Sequence, residues 1–189
     1  MSSSLSPKVG RLLLGAFIVL ERGLRRSDDA RTLEAGADDQ GTTRLVGGAF
    51  GLAMTSGPLL ARSKWGRFPP WVGWVGVGIM AGGLGLRMWS AQALGAHYTR
   101  TLRIEGDHRV VEVGPYARIR HPGYAGTLTM WLGYGLSLTS LPATLGIMVP
   151  TALAYWQRIG VEEGMLAGEL GEPYRSYQEH TRRLVPGVY

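Results

Sequence analysis

Cysteine is missing from all 189 residues, which removes disulfides, thiolate nucleophiles and cysteine-ligated metals from consideration. Prenyl or palmitoyl anchoring of the chain itself goes with them. The four histidines, His97, His108, His121 and His180, lack metal-ligand spacing, and no H-E-x-x-H or phosphate-loop lysine motif occurs. No metal site is therefore expected. "GVGIMA" at 76–81 matches a G-x-G-x-x-G/A dinucleotide pattern, but its flanks stay apolar on both sides, where that pattern needs a strand before and a helix after. Acidic residues are scarce beside basic ones, 14 against 20. In a soluble protein such an excess points to nucleic acid; here its distribution fits membrane topology, and no nucleic-acid partner is expected.

What the chain does have is glycine, 29 residues of it, lodged inside long apolar segments such as "WVGWVGVGIMAGGLGLRMW". Small residues in such segments let membrane helices approach closely. The expected fold is an all-α integral membrane protein of about five transmembrane helices in a single domain spanning 1–189. The runs lie near 9–20, 45–61, 71–94, 124–139 and 142–156. The first is short and is read as a retained anchor, because no small-residue cleavage motif follows it. Several runs fall below the roughly 20 residues that cross a bilayer, so the protein is expected to be thin in the membrane or extended by polar helix ends. "TSLPA" between the last two runs allows only a tight turn.

With five spans, segments 21–44, 95–123 and everything after Trp156 share one side and carry 14 basic residues. The other side carries Lys8, Arg11, Arg62, Lys64 and Arg67, while Arg87 lies within the third run, where it can snorkel. The positive-inside rule then places the first side in the cytoplasm, so localisation is expected in the cell inner membrane with the functional face cytoplasmic. Trp71, Trp74 and Trp156 suit interfacial belts. The pairs Gly47/Gly51 and Gly78/Gly82 have the spacing of helix contacts, and glycine-rich faces can pack within a monomer or between copies. The polar stretch 28–43 is expected to be a mobile loop.

The chemistry is expected in the cytoplasmic regions 95–126 and 157–189. "HRVVEVGPY" alternates enough for a short extended segment ending in a Gly-Pro turn. In "RIRHPGY", Pro122 disfavours a helical His121 and suits the first position of a helix. The amino terminus of that helix would carry free N–H groups toward the cytoplasmic face, with Arg118 and Arg120 adding positive potential. Interfacial arginines alone would explain the cations, but not Tyr116 and Tyr124 bracketing the turn. Beyond the fifth run, Arg158 and Glu162 are four apart and share a helix face. As a surface ion pair they would contribute about 0.3–0.5 kcal/mol, and their basic-then-acidic order is the weaker one.

The two stretches "GPYARIRHPGYAG" and "RIGVEEGMLAGELGEPYRSYQEHTRRLVPG" resemble, in the same order, the isoprenylcysteine carboxyl methyltransferase family and its phospholipid methyltransferase relatives. The likeness covers roughly residues 95–189. It implies an integral-membrane enzyme that uses S-adenosylmethionine, leaves S-adenosylhomocysteine, and has no dinucleotide-type domain. Carried onto this chain, it implies that His108, Arg109, Val110 and Val111 line the cofactor pocket. Tyr116, His121, Pro122, Gly123 and Tyr124 form its wall. Glu162 contacts the cofactor, Arg100 or Thr101 is a further contact, and catalytic Arg158 faces the substrate. The family often has a small polar residue after His-Pro, whereas Gly123 offers only backbone.

Methyl transfer from a sulfonium releases a neutral thioether and needs positioning above all, which is worth about 7–11 kcal/mol when reactants are aligned. Tyrosine faces hold a sulfonium by roughly 0.5–2 kcal/mol each. A carboxylate acceptor needs no base and could be held by Arg158; an amine or thiol would need His121 or Glu163. The expected partners are membrane lipids and a lipophilic substrate, with an isoprenylcysteine-like carboxylate leading. A phospholipid amine and a small hydrophobic thiol or acid are the alternatives, and a non-catalytic scaffold or small transporter is the reading from a different class.

Overall fold

The computed structural model describes residues 5–23, 39–94, 110 and 112–187. Among these the chain forms six helices and no sheet: α1 (Ser6–Gly23), α2 (Thr42–Leu60), α3 (Pro70–Leu94), α4 (Pro122–Ser137), α5 (Leu141–Leu170) and α6 (Glu172–His180). A short 3₁₀ turn, Gly114–Ala117, precedes α4. The five apolar runs coincide with α1 to α5 to within a helical turn, except that α5 continues past Trp156 to Leu170. "GVGIMA" lies inside uninterrupted α3.

Proline punctuates these elements. Pro70 opens α3, Pro122 opens α4 and Pro142 sits in the first turn of α5, positions where a missing N–H costs nothing. Ser140 caps α5, its Oγ accepting from the Ala143 N–H at 3.4 Å. Inside α5, Pro150 cannot donate to the Gly146 carbonyl. Ser56 Oγ of α2 donates to that same carbonyl at 3.3 Å, so the defect is met across the α2–α5 interface.

Glycine brings α3 and α4 together. A methyl at Gly83 would fall 2.5 Å from Met130 N and 2.6 Å from Gly126 O; one at Gly76 would fall 2.7 Å from Gly133 O. The partner glycines answer in kind, Gly126 against Gly83 O at 2.7 Å and Gly133 against Gly76 O at 2.5 Å. Both pairs are one heptad apart on each helix, the repeat at which two helices meet on the same face. Gly47, Gly51, Gly78 and Gly82 have the expected contact spacing, but a methyl added at any of them would meet no described atom within 4 Å. Their faces point away from the described helices, and the contacts fall one face round.

The helix ends sort into two groups. At one end the α2–α3 loop pairs with the α4–α5 turn: Phe68 N–H donates to Thr139 O at 3.0 Å and Leu141 N–H to Gly66 O at 2.7 Å. The start of α1 joins them, with Ser6 Oγ donating to Ser137 O at 3.2 Å. At the other end lie the start of α2, the end of α3, the start of α4 and the extension of α5. The expected loop at 28–43 is partly corrected here, since Asp39 to Gly41 form a turn leading into α2, which begins at Thr42, with Asp39 and Thr42 buried; residues 24–38 lie outside the described residues.

Among the described residues one helix, α3, is long and apolar enough to cross a membrane by itself, with mean hydropathy 1.2 over its best window. The 16-residue α4 is shorter than a roughly 30 Å hydrocarbon core requires. Leu145, Val149, Leu153 and Trp156 nevertheless form an exposed apolar stripe on α5, and Leu52 and Leu59 are exposed on α2. Large uncovered apolar faces of this kind call for a nonaqueous neighbour.

Candidate functional site

The site is assembled where the His-Pro turn meets the polar extension of α5. Pro122 starts α4, which leaves His121 outside the helix with its backbone in a non-helical conformation (φ −122°, ψ 54°). The backbone leading into it is paired by the segment after α6: Arg120 N–H donates to Arg182 O at 2.7 Å, His121 N–H to Arg183 O at 3.0 Å, and Arg182 N–H to Arg118 O at 3.2 Å. Tyr177 of α6 donates its hydroxyl to Tyr116 O at 2.7 Å. The carboxyl-terminal segment thus straps the turn against α5.

Glu163 is the knot of that strap. Its Oε1 accepts from Arg120 Nε at 2.8 Å and lies 3.2 Å from His121 Nε2, and its Oε2 accepts from Arg183 Nε at 2.9 Å. Arg120 Nη1 also donates to Gln178 O and Thr181 O. Burial pushes the Glu163 carboxyl up, but the hydrogen bonds and charges of His121 and Arg120 outweigh burial and hold it down at about 2. A carboxylate depressed on folding contributes stability above its ordinary value of 4.5 and loses it as the pH falls toward about 2. Thermal stability of the purified protein is accordingly expected to decline across that window. Glu163→Gln should be less stable at neutral pH and show a flatter decline.

Glu162, the neighbouring residue, has a different environment. Its Oε2 accepts from the Tyr124 hydroxyl at 2.6 Å, and His121 Nδ1 lies 3.8 Å away. Arg158 Nε donates to the Tyr124 hydroxyl at 2.8 Å, so the chain of contacts runs Arg158, Tyr124, Glu162. Arg158 Nη1 reaches Thr43 Oγ1 at 3.0 Å and Asp39 Oδ1 at 3.4 Å. Asp39, completely buried, also accepts from the Thr42 and Thr43 hydroxyls at 2.9 Å and from the Thr43 N–H, in the first turn of α2, at 3.0 Å. Aromatic rings close the cluster. His121 stacks on Tyr124 with centroids 5.4 Å apart and planes at 3°, and the Tyr155 ring lies 4.8 Å from Tyr124, tilted by 43°.

The charges do not distribute evenly. Asp39 faces Arg158, and Glu163 faces Arg120 and Arg183. Glu162 makes no ion pair with a guanidinium among the described residues, and its side chain keeps 23% of its surface open. A partly open carboxylate beside the Tyr124 and His121 rings is suited to a cationic group.

Of the residues expected from sequence, Tyr116, His121, Pro122, Gly123, Tyr124, Arg158 and Glu162 come together here. Val110 is half-buried before the 3₁₀ turn. Arg100, His108, Arg109 and Val111 lie outside the described residues. Arg87 does not snorkel toward lipid: its Nη1 lies 2.7 Å from where a Gly123 methyl would stand, so the missing side chain after His-Pro makes room for this guanidinium. The sequence contains no local sign of Asp39, Arg87, Arg183 or Tyr177 in the cluster, because each arrives from a distant element.

Comparison with known proteins identifies the family. The phospholipid methyltransferase family model matches residues 71–172, more than half of the chain, which include His121, Tyr124, Arg158, Glu162 and Glu163 but neither Asp39 nor the strap. A relative from Oryza sativa subsp. indica, named "Probable protein-S-isoprenylcysteine O-methyltransferase", is 26% identical over 154 residues, covering 78% of this chain and 81% of its own. A protein-S-isoprenylcysteine O-methyltransferase of Schizosaccharomyces pombe is 32% identical over 80 residues, 42% of this chain and 34% of its own. The solved structure of a eukaryotic intramembrane Ras methyltransferase, isoprenylcysteine carboxyl methyltransferase, shares the fold with a TM-score of 0.55 at 23% identity, over 77% of this chain. The chain spans about half the length of that structure, 52%. On the match to more than half of its length, the chain belongs to the phospholipid methyltransferase family.

Proposed function

We propose that this methyltransferase transfers a methyl group from S-adenosylmethionine to a lipophilic acceptor, with the Glu162–Tyr124 pair at the donor site. The observation that carries the proposal is the Glu162 carboxylate, which among the described residues meets a phenol and an imidazole but pairs with no guanidinium, and stays partly open. When bound, the donor supplies an activated methyl: its carbon–sulfur bond breaks as the carbon bonds to the acceptor, and sulfur keeps the electron pair. The protein contributes position and field. Tyr124 is fixed at both ends of its hydroxyl, by Arg158 Nε and Glu162 Oε2, and its face is held parallel to His121. Such preorganised groups lower a barrier without moving during the reaction.

In this proposal all five long helices span with α1 entering from the outer side, and the positive-inside rule supports a cytoplasmic site end, the side carrying 14 basic residues. In this arrangement the donor enters from the inner-membrane cytoplasmic face, while the acceptor slides between helices from lipid. An isoprenylcysteine-like carboxylate is the leading acceptor. It is already ionised at neutral pH and would share Arg158 with Asp39. A phospholipid amine is the second reading, favoured by that same ion pair, which leaves Arg158 less positive charge for an anionic acceptor.

The test is transfer of labelled methyl by purified protein in lipid nanodiscs to farnesylcysteine analogues, phosphatidylethanolamine and a long-chain thiol. Label is expected on the farnesylcysteine carboxyl, suppressed by S-adenosylhomocysteine. Label on the amine would establish the second reading, and the absence of both donor binding and transfer would overturn the proposal.

A further inference from the structure

Asp39 has figured so far only as the ion-pair partner of Arg158, yet it is completely buried and sits 119 positions from that arginine. Burying a carboxylate is costly unless it is paired and hydrogen-bonded. This one is surrounded by four donors: Arg158 Nη1, the hydroxyls of Thr42 and Thr43, and the Thr43 N–H. The chain turns sharply to deliver it, with Gln40 (φ 48°) and Gly41 (φ 79°) both left-handed. A neutral oxygen could accept from the threonine hydroxyls and from the Thr43 N–H as well, so these hydrogen bonds alone do not explain the charge.

Charge balance does. Arg158 lies between two carboxylates, Asp39 directly and Glu162 through the Tyr124 hydroxyl. With Asp39 neutralising the guanidinium, the cluster of Asp39, Arg158 and Glu162 carries one net negative charge, and that charge resides on the partly open Glu162. Without Asp39, Arg158 would offset Glu162 instead, and the cluster would be neutral. Resting on the donor-site reading above, we infer that Asp39 is a positioning residue that holds Arg158 away from neutralising Glu162 and so reserves the Glu162 charge for the sulfonium of the methyl donor.

The inference separates two ligands that differ in one charge. S-adenosylmethionine carries the sulfonium, and S-adenosylhomocysteine is its demethylated counterpart with a neutral thioether. Asp39→Asn keeps the size of the side chain and an oxygen able to accept hydrogen bonds, and removes the charge. It should weaken S-adenosylmethionine binding by on the order of tenfold while changing S-adenosylhomocysteine binding by less than about twofold. Calorimetric titration of the full chain in nanodiscs reads both constants, with thermal unfolding as the check on folding. Asp39→Ser, which also keeps a neutral acceptor oxygen, supplies the same comparison should the asparagine variant not fold. Asp39→Glu, which keeps the charge, should restore the wild-type ratio of the two affinities. Equal loss for both ligands would make Asp39 merely structural and overturn the inference, as would no change in either. If the wild-type protein bound neither ligand, the donor-site reading itself would fall and this inference with it.

Discussion

Glutamine at position 162 is expected to weaken S-adenosylmethionine binding by roughly ten- to a hundredfold, the equivalent of a charge-assisted contact worth about 1.5–3 kcal/mol. The substitution preserves the size of the side chain and leaves an amide oxygen able to accept from the Tyr124 hydroxyl, which sits 2.6 Å from the native carboxylate. The fold should therefore survive, because the strap depends on the adjacent Glu163 and its contacts to Arg120, His121 and Arg183. The control is Glu169→Gln on the exposed end of the same helix, where no change in binding is expected. Calorimetry on both variants checks the result. Unchanged affinity in Glu162→Gln would mean that the carboxylate left outside the guanidinium pairs is not the donor-side charge.

Alanine at Gly133 is expected to have the largest effect on stability. Its methyl would land on the backbone of α3, against Met80 N and Gly76 O. Overpacking against side chains costs about 1–3 kcal/mol because side chains can turn aside. Backbone in a helix has no such freedom, so α3 and α4 must separate, and the loss should reach about 3 kcal/mol or more. Gly83→Ala on the other helix should behave similarly, through Met130 N and Gly126 O. Gly78→Ala and Gly82→Ala, with nothing within 4 Å, should be nearly neutral. Unfolding midpoints in detergent compare the four. Separation of α3 from α4 would also displace Gly123 from Arg87 at the site end, so residual folded Gly133→Ala should bind the donor less well.

These glycines mark where the sequence was and was not informative. The helices themselves were legible, because apolar runs are bounded by proline, by basic residues and by the tight "TSLPA" turn. Which face of each helix meets a neighbour was not. A helix as uniformly apolar as α3 has no polar side to set its rotation, so spacing alone singled out Gly78/Gly82, while the contacts use Gly76 and Gly83. The half of the site formed by Tyr124, Arg158 and Glu162 was visible, since four-residue spacing puts Arg158 and Glu162 on one face and the family resemblance drew the His-Pro turn toward them. Asp39 was not, because it stands in a polar stretch with the composition of a loop and acquires its role only when α2 lies against α5. The two adjacent glutamates could not be told apart either. Successive helix positions point about 100° apart, and only the placement of the carboxyl-terminal strap shows which of them it covers.

Direct ultraviolet crosslinking of methyl-labelled S-adenosylmethionine to the wild-type protein, followed by peptide mapping, locates the donor most immediately. Label competed by S-adenosylhomocysteine is expected on the peptides containing the Tyr116–Tyr124 turn and residues 155–163. Specific label on the α2–α3 loop at 61–69, at the opposite end of the helices, or no competed label at all, would contradict a donor site between the His-Pro turn and the extension of α5.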